Sequence, residues 1–260
     1  MDELLTARPA GPGEFLTTLP DGWHQGRGLF GGLLTGLMTR TLETFVPGRP
    51  LRSLTAELFA PAQPGPATLR VQVLREGNAV TTVSVALLQG DMVAHGVGVL
   101  GQTRVTDRER MELTPPTPGD WSQSEVLPIE PPLAPEFSQH WEFRPVRYLP
   151  LGDEGVSAAE VWVRPKSRGA RRDTAYLACC ADACWPTLLA TEAQPRPMAT
   201  IAFTFQPFLH SLEGLDPEAP YFHRARLVAA TDGYVVEFRE LWSHTGRLLA
   251  LNQQTFVIIR

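Results

Sequence analysis

The sequence predicts an α+β protein built from two similar units in tandem, each a helix followed by a long antiparallel sheet. The first observation is a repeat: RVQVLREGNAVTTVSVALLQGDMVAHGVGVLG, from Arg70, is echoed by RLVAATDGYVVEFRELWSHTGRLLALNQQTFVII, from Arg226. Gly77, Gly90 and Ala94 are spaced 13 and 4 apart, and Gly233, Gly246 and Ala250 keep that spacing. Internal similarity of this kind marks one supersecondary unit used twice. The second observation is order. In each half one helical stretch precedes strands joined by hairpin turns, which is not the alternation of a βαβ array. The third is length, since 260 residues suit two domains or one fused double domain. The expected division is 1–104, a connector over 105–145, and 146–260.

The elements follow in order. Glu14 to Thr18 reads as a lead strand, and GWHQGRGLFGG then breaks regular structure. A helix is expected from Gly32 to Phe45, with Leu33, Leu37, Leu42 and Phe45 as its apolar stripe, ended by Pro47 and Gly48. Strands are expected at Leu51–Phe59, Ala67–Glu76, Ala79–Leu88 and Met92–Gln102, with Gly77-Asn78 and Gly90-Asp91 at the turns. Residues 103 to 143 carry the proline runs TPPTPG and EPPLAPEF, too dense for a packed helix or central strand. This connector should lie on the surface in part, with Trp121, Phe137 and Trp141 finding cover. The second half repeats the order. It has a strand at Ala158–Arg164, a helix at Asp173–Thr191, and strands at Thr200–His210, Tyr221–Thr231, Tyr234–Ser243 and Arg247–Ile259.

Composition excludes several classes. A net charge of −5 argues against a general nucleic-acid binder. The positive charge is nearly all arginine, with Lys166 the only lysine, an imprint of genome composition. The N-terminus lacks the apolar core of a signal peptide, and no apolar run reaches the ~20 residues of a membrane span. Cys179, Cys180 and Cys184 crowd one segment and fit reduced thiols in a cytoplasmic protein better than a disulfide framework. CCxxxC lacks a fourth zinc ligand nearby, and the six histidines form no HxxxH or HExxH pair, so no metal is expected.

Three polar residues stand out against apolar surroundings. Asp182 is the only charge in LACCADACWPTLL, and a buried carboxylate needs a partner, a ligand or solvent. Thr200 is the first polar residue of ATIAFTF, a strand whose β-branched residue is otherwise unremarkable. Asn252, Gln253 and Gln254 interrupt the last strand, and alternation puts Asn252 and Gln254 on one face with Gln253 on the other. A carboxylate to accept a proton, with a hydroxyl and an amide to orient, has the makings of a water-activating site. Trp23 and His24, just ahead of the FGG turn, fit either a pocket lining or plain packing.

These residues and motifs resemble the acyl-CoA thioesterase II type of double-hotdog protein over most of both halves. GRGLFGGLL is similar to that family's turn into the first helix, and LRSLTAELFAPAQPGP with VLREGNAV to its strand, loop and turn. ADACWP, ATIAFTFQPF and LLALNQQ match the second unit, although Phe203, Gln206 and Pro207 stand where members often carry a more polar or histidine-containing stretch. The resemblance implies a double hotdog. It also implies hydrolysis of acyl-CoA by a water held on Asp182, Thr200 and Gln254, with no covalent acyl-enzyme and no cofactor. No GxSxG elbow is present, and Cys179 or Cys180 as nucleophile is the residual alternative. Backbone N–H groups at a helix N-terminus, worth roughly 3 kcal/mol per donor, suit the oxyanion, and Gly31 and Gly32 allow that approach. RPKSRGARR offers five basic residues before the Asp182 helix, among them Arg168 and Arg171, for the CoA phosphates or as a solvated loop. A homo-oligomer is expected from the family. A non-catalytic acyl-binding hotdog and an enoyl-thioester hydratase stand as alternatives. Gly98 falls opposite Gln254 in the repeat and roughly Ser53 opposite Thr200, so one water site per chain is expected.

Overall fold

A computed structural model describes residues 1–105, 108, 110–129, 131, 134–152 and 155–259 of the chain; part of the EPPLAPEF run lies outside these. The first half runs β1 (Arg8–Gly11), β2 (Glu14–Leu19), β3 (His24–Gln25), β4 (Gly28–Leu29), α1 (Gly31–Phe45), β5 (Leu51–Leu58), β6 (Gly65–Glu76), β7 (Val80–Gln89) and β8 (Asp91–Gly101). Short 3-10 turns at Trp121–Gln123 and Glu136–His140 lie in the connector. The second half runs β9 (Trp141–Arg147), β10 (Ala158–Pro165), α2 (Thr174–Ala181), β11 (Met198–Pro207), β12 (Tyr221–Thr231), β13 (Tyr234–Trp242) and β14 (Leu248–Ile258).

All strands but the β3–β4 ribbon form one antiparallel sheet, ordered β1-β2-β6-β7-β8-β5-β11-β14-β13-β12-β10-β9. Read outward from the β5–β11 seam, the two sides have the same connectivity, so the sequence repeat is a structural repeat. At the seam Leu54 pairs with Phe205 and Ala56 with Phe203. Both helices pack on one face of this sheet and against each other. A Cβ at Gly32 would lie 2.7 Å from the Cys179 carbonyl and one at Gly36 2.9 Å from that of Ala175, so only glycine permits this helix spacing. Leu33, Leu37 and Leu42 are fully buried in the shared core, as the apolar stripe predicts, while Phe45 only packs at its edge. No helix among the described residues is long and apolar enough to cross a membrane.

Three expectations are corrected. The second helix ends at Ala181 rather than Thr191, because Pro186 has no N–H and restricts the residue before it; the chain resumes only as a 3-10 turn over Thr187–Thr191. Trp141–Arg147, partly inside the stretch read as connector, forms β9 and extends the sheet beside β10. The short β1 was also missed.

The connector's aromatic residues do find cover. Phe137 stacks on Phe30 with ring centroids 4.2 Å apart, and Trp141 meets Phe30 edge-on, both beside the start of α1. Trp121 goes to the opposite face of the sheet, between the Arg144 and Arg164 guanidiniums at 5.6 Å each. There it covers the second apolar cluster, formed by Trp162, Phe222, Trp242 and Leu248.

Candidate active site

Asp173 caps α2, its side chain accepting from the Tyr176 N–H, and the helix unwinds at Asp182, whose own N–H still reaches the Cys179 and Cys180 carbonyls. Asp182 therefore leaves the helix at its C-terminal end and is buried, at 5% exposure. Its Oδ1 accepts a hydrogen bond of 2.7 Å from Gln254 Nε2. Its Oδ2 faces the first turn of α1, where a Cβ on Gly31 would stand 2.9 Å away. The Gly32 N–H draws on the carboxylate electrostatically, but no protein donor completes a well-aligned hydrogen bond to Oδ2. The site thus straddles the repeat, with an acid from the second half against a helix N-terminus from the first.

The strands supply the rest. On β14 the alternation holds: Asn252 and Gln254 are buried on the core face and Gln253 is exposed. Asn252 Nδ2 donates to the Thr204 carbonyl at 2.6 Å, which turns Asn252 Oδ1 toward Gln254 Nε2 at 2.9 Å. Thr200 reaches the group by a bulge. Phe203 and Phe205 face the core, so strict alternation would send Thr200 outward. The β11–β14 register slips between Thr200 and Ala202, so that Thr200 pairs with Phe256 and its hydroxyl donates to Gln254 Oε1 at 3.2 Å. Asp182, Thr200 and Gln254, picked from three separate elements, are joined in one hydrogen-bonded chain.

Charge around Asp182 comes from residues the sequence reading passed over. Glu237 and Arg239 lie on the core face of β13, both buried. Arg239 binds Glu237 Oε2 through Nε at 3.1 Å and Nη2 at 2.9 Å, and donates to the Cys184 carbonyl at 3.0 Å. Its Nη1 stands 3.9 Å from Asp182 Oδ1. Thr187 Oγ1 donates to Glu237 Oε1 at 2.9 Å. Burial pushes the Asp182 carboxyl up from 3.8 to about 6, with Arg239, Gln254 and the Gly32 N–H pulling down and Glu237 pushing up. The signal was present in VVEFRELW, where Glu237 and Arg239 share the strand face of Val235 and Leu241.

Other expected residues fall elsewhere. The basic loop holding Arg168 and Arg171 precedes α2, about 12 Å from Asp182 by the rise of eight helical residues. Arg168 binds Glu218 and the Pro217 carbonyl, Arg171 reaches Asp173 Oδ2 at 3.4 Å, and the loop's N–H groups hold the Asp2 carboxylate. The structure does not bring these arginines to the trio. Cys179, Cys180 and Cys184 are buried and their thiols pushed up by desolvation, which disfavours a thiolate nucleophile. Trp23 is buried and stacks on His140 at 4.2 Å, while half-exposed His24 bonds Glu136 Oε2 through Nδ1 at 2.8 Å. Among the described residues Asp21, His24 and Glu136 are the one group close enough to share a cation, with Asp21 exposed and the other two half-buried.

The repeat's first-half counterpart is filled. Gly98 pairs with Leu54 as Gln254 pairs with Phe203. A Cβ at Gly98 would lie 2.6 Å from Leu42 Cδ1. The counterpart of Thr200 is Leu51, not Ser53. Leu51 pairs with Leu100 just before the same register slip, as Thr200 pairs with Phe256.

Comparison with known proteins follows this geometry. Family models described as the acyl-CoA thioesterase N-terminal domain and C-terminal domain match residues 19–101 and 108–258. A search of curated protein sequences returns no match. Among solved structures, a conserved protein of unknown function with a hot dog fold from Alicyclobacillus acidocaldarius is 21% identical. It superposes with a TM-score of 0.86 over 100% of this chain and 97% of that one. A protein assigned as a thioesterase II from Thermobifida fusca is 22% identical, with a TM-score of 0.85 over 100% and 97%. An acyl-CoA thioesterase II from Mycobacterium marinum is 15% identical, with a TM-score of 0.74 over 99% and 97%. At such identities the likeness is one of fold, the hotdog fold.

Proposed function

The chain belongs to the acyl-CoA thioesterase family, and from that premise we propose that it hydrolyses acyl-CoA to free fatty acid and CoA as a tandem double hotdog with one working site. The observation that carries the proposal is the hydrogen-bonded chain from half-buried Thr200 through Gln254 to Asp182, whose Oδ2 has no aligned protein donor. A water there gives one proton to Oδ2 and the other to Thr200 Oγ1 as a hydrogen bond, leaving its lone pair for the thioester carbonyl. Asp182, titrating near 6, is ionised at neutral pH yet basic enough to take that proton. The oxyanion would be met at the start of α1, where the helix dipole favours negative charge, by the Gly31 N–H, with Gly32 turning its own N–H to Asp182. Collapse expels the CoA thiolate, which recovers the proton from Asp182, so the sum is thioester plus water to acid plus thiol.

The residue roles, a cytoplasmic location and a homo-oligomer belong to the same reading. Arg168 and Arg171 would serve CoA only where its nucleotide end reaches the basic loop itself, since every residue of α2 is buried. Release of free thiol from a panel of acyl-CoAs tests the reading. Hydrolysis by the wild type and its loss in Asp182→Asn is the expected result. Binding without thiol release would favour a non-catalytic acyl-binding protein, and hydration of an enoyl-CoA without thiol release a hydratase; either sinks the hydrolase.

A further inference from the structure

The polar trio accounts for Asp182, Thr200 and Gln254 but gives no task to the ion pair beside them. Glu237 and Arg239 are 0% and 2% exposed. A buried ion pair adds little to stability over apolar packing of the same volume, so what it faces is the informative fact. Arg239 is held on three sides: by both contacts to Glu237, by the Cys184 carbonyl, and by the Phe256 ring 5.4 Å from its guanidinium carbon. Glu237 is itself fixed by the Thr187 N–H and hydroxyl. The guanidinium therefore stops 3.9 Å from Asp182 Oδ1, beyond hydrogen-bond reach.

We propose that Arg239 is a positioning residue for Asp182 and that Glu237 is its anchor. Arg239 orients the carboxylate so that Oδ2 stays turned toward α1, and Glu237 keeps the guanidinium from closing on it. This inference rests on Asp182 being the base of the proposed hydrolysis. The distance matters because a direct contact would cost the carboxylate its basicity, and removal of the cation would leave it protonated. The groups facing Asp182 come from every element packed against it. Glu237 and Arg239 come from β13, Gln254 from β14, and the Gly32 N–H from α1. Thr200 of β11 and Asn252 of β14 act through Gln254. Cys179 and Cys184, on its own segment, are thiols kept protonated by burial. His223 on β12 faces Arg239 and is held neutral, burial taking it down to about 3.

The test uses Glu237→Gln, Arg239→Lys and Arg239→Met, with two readouts. One is the pH midpoint of the Asp182 carboxyl band in infrared difference spectra against Asp182→Asn. The other is kcat and KM for thioester hydrolysis across pH. In Glu237→Gln the guanidinium closes on Asp182, so the midpoint falls by about one pH unit and kcat at pH 8 by about tenfold, with KM unmoved. Arg239→Lys keeps the charge and recovers activity that Arg239→Met loses. If Arg239→Met does not fold, the other two variants still decide. Variants that melt earlier but leave the midpoint and kcat where they were would overturn the inference, since that is what a purely structural pair does. A wild type without thioesterase activity sinks the hydrolase alone, because the carboxyl midpoint is read without turnover.

Discussion

Asn252 fixes which way Gln254 points. The two side chains lie two residues apart on β14, and Asn252 Oδ1 takes one amide hydrogen of Gln254 at 2.9 Å while Asp182 Oδ1 takes the other at 2.7 Å. Both hydrogens are thereby committed, and Gln254 Oε1 is left to accept from Thr200. Without Asn252 the amide is free to turn over and present Oε1 to the carboxylate. Asn252→Leu is expected to lower kcat by about 10- to 100-fold, the scale of a small misplacement of a catalytic group. KM should stay put, while the acid limb of the pH profile moves up because the Gln254 donor no longer holds the Asp182 carboxyl down, and steady-state kinetics on one acyl-CoA reads all three. Unchanged kcat would mean that the amide needs no keeper.

Asp182 should limit stability as well as carry activity. Its carboxyl titrates near 6 in the folded chain against 3.8 ordinarily, so the folded state binds the proton more tightly than the unfolded one. Stability then falls as pH rises through that window, by about 3 kcal/mol once pH passes 6. Asp182→Asn removes the titration. The variant should lose hydrolysis and melt above the wild type at pH 8, by roughly 2–4 °C per kcal/mol recovered, with the gap closing near pH 4. Thermal melts at the two pH values check the sign. A gap that widens toward pH 4 would contradict it.

Gly31 belongs to the site through the space it leaves. A methyl group there would meet Asp182 Oδ2 at 2.9 Å and Leu58 Cδ1 at 3.4 Å. Gly31→Ala is expected to turn the carboxylate away from α1 and reduce kcat by about 100-fold. The Ala helix propensity should offset part of any loss in stability. Activity assays paired with melts separate the two effects, and a fully active Gly31→Ala would place the water elsewhere.

Much of this was legible in the chain. The repeat fixed by Gly77, Gly90 and Ala94 holds in three dimensions, and period-two alternation on β14 correctly separated Asn252 and Gln254 from Gln253. What escaped depended on facts that periodicity does not encode. Thr200 faces the core only because a bulge reverses the alternation, and its counterpart is Leu51 rather than Ser53 because strand register, which the glycine and alanine spacing of the later hairpin does not carry back to this strand, sets the match. Pro186 marks a stop that the expected helix to Thr191 overran, and the unwinding at Asp182, four residues before it, is what takes that side chain out of the helix. Arg168 and Arg171 looked available in a basic run, but a sequence shows charge without showing the Glu218 and Asp173 carboxylates that engage it. Glu237 and Arg239 were readable as an acid and a base sharing an apolar strand face.

The first half offers the sharpest test that the repeat has one working site. Gly98 occupies the place of Gln254, and its Cβ position is 2.6 Å from Leu42 Cδ1 and 3.2 Å from Leu51 Cδ1, both leucines fully buried. Gly98→Gln would restore the amide without restoring its partners, since Leu51 stands for Thr200. The inserted side chain must displace packed leucines, which costs about 1–3 kcal/mol, and it buries an amide without acceptors, costing about as much again. A clear drop in melting temperature is expected, with kcat per folded chain unchanged. A gain in turnover, or a second class of acyl-CoA binding in titration calorimetry, would show that the first half retains a site that its leucines only obscure.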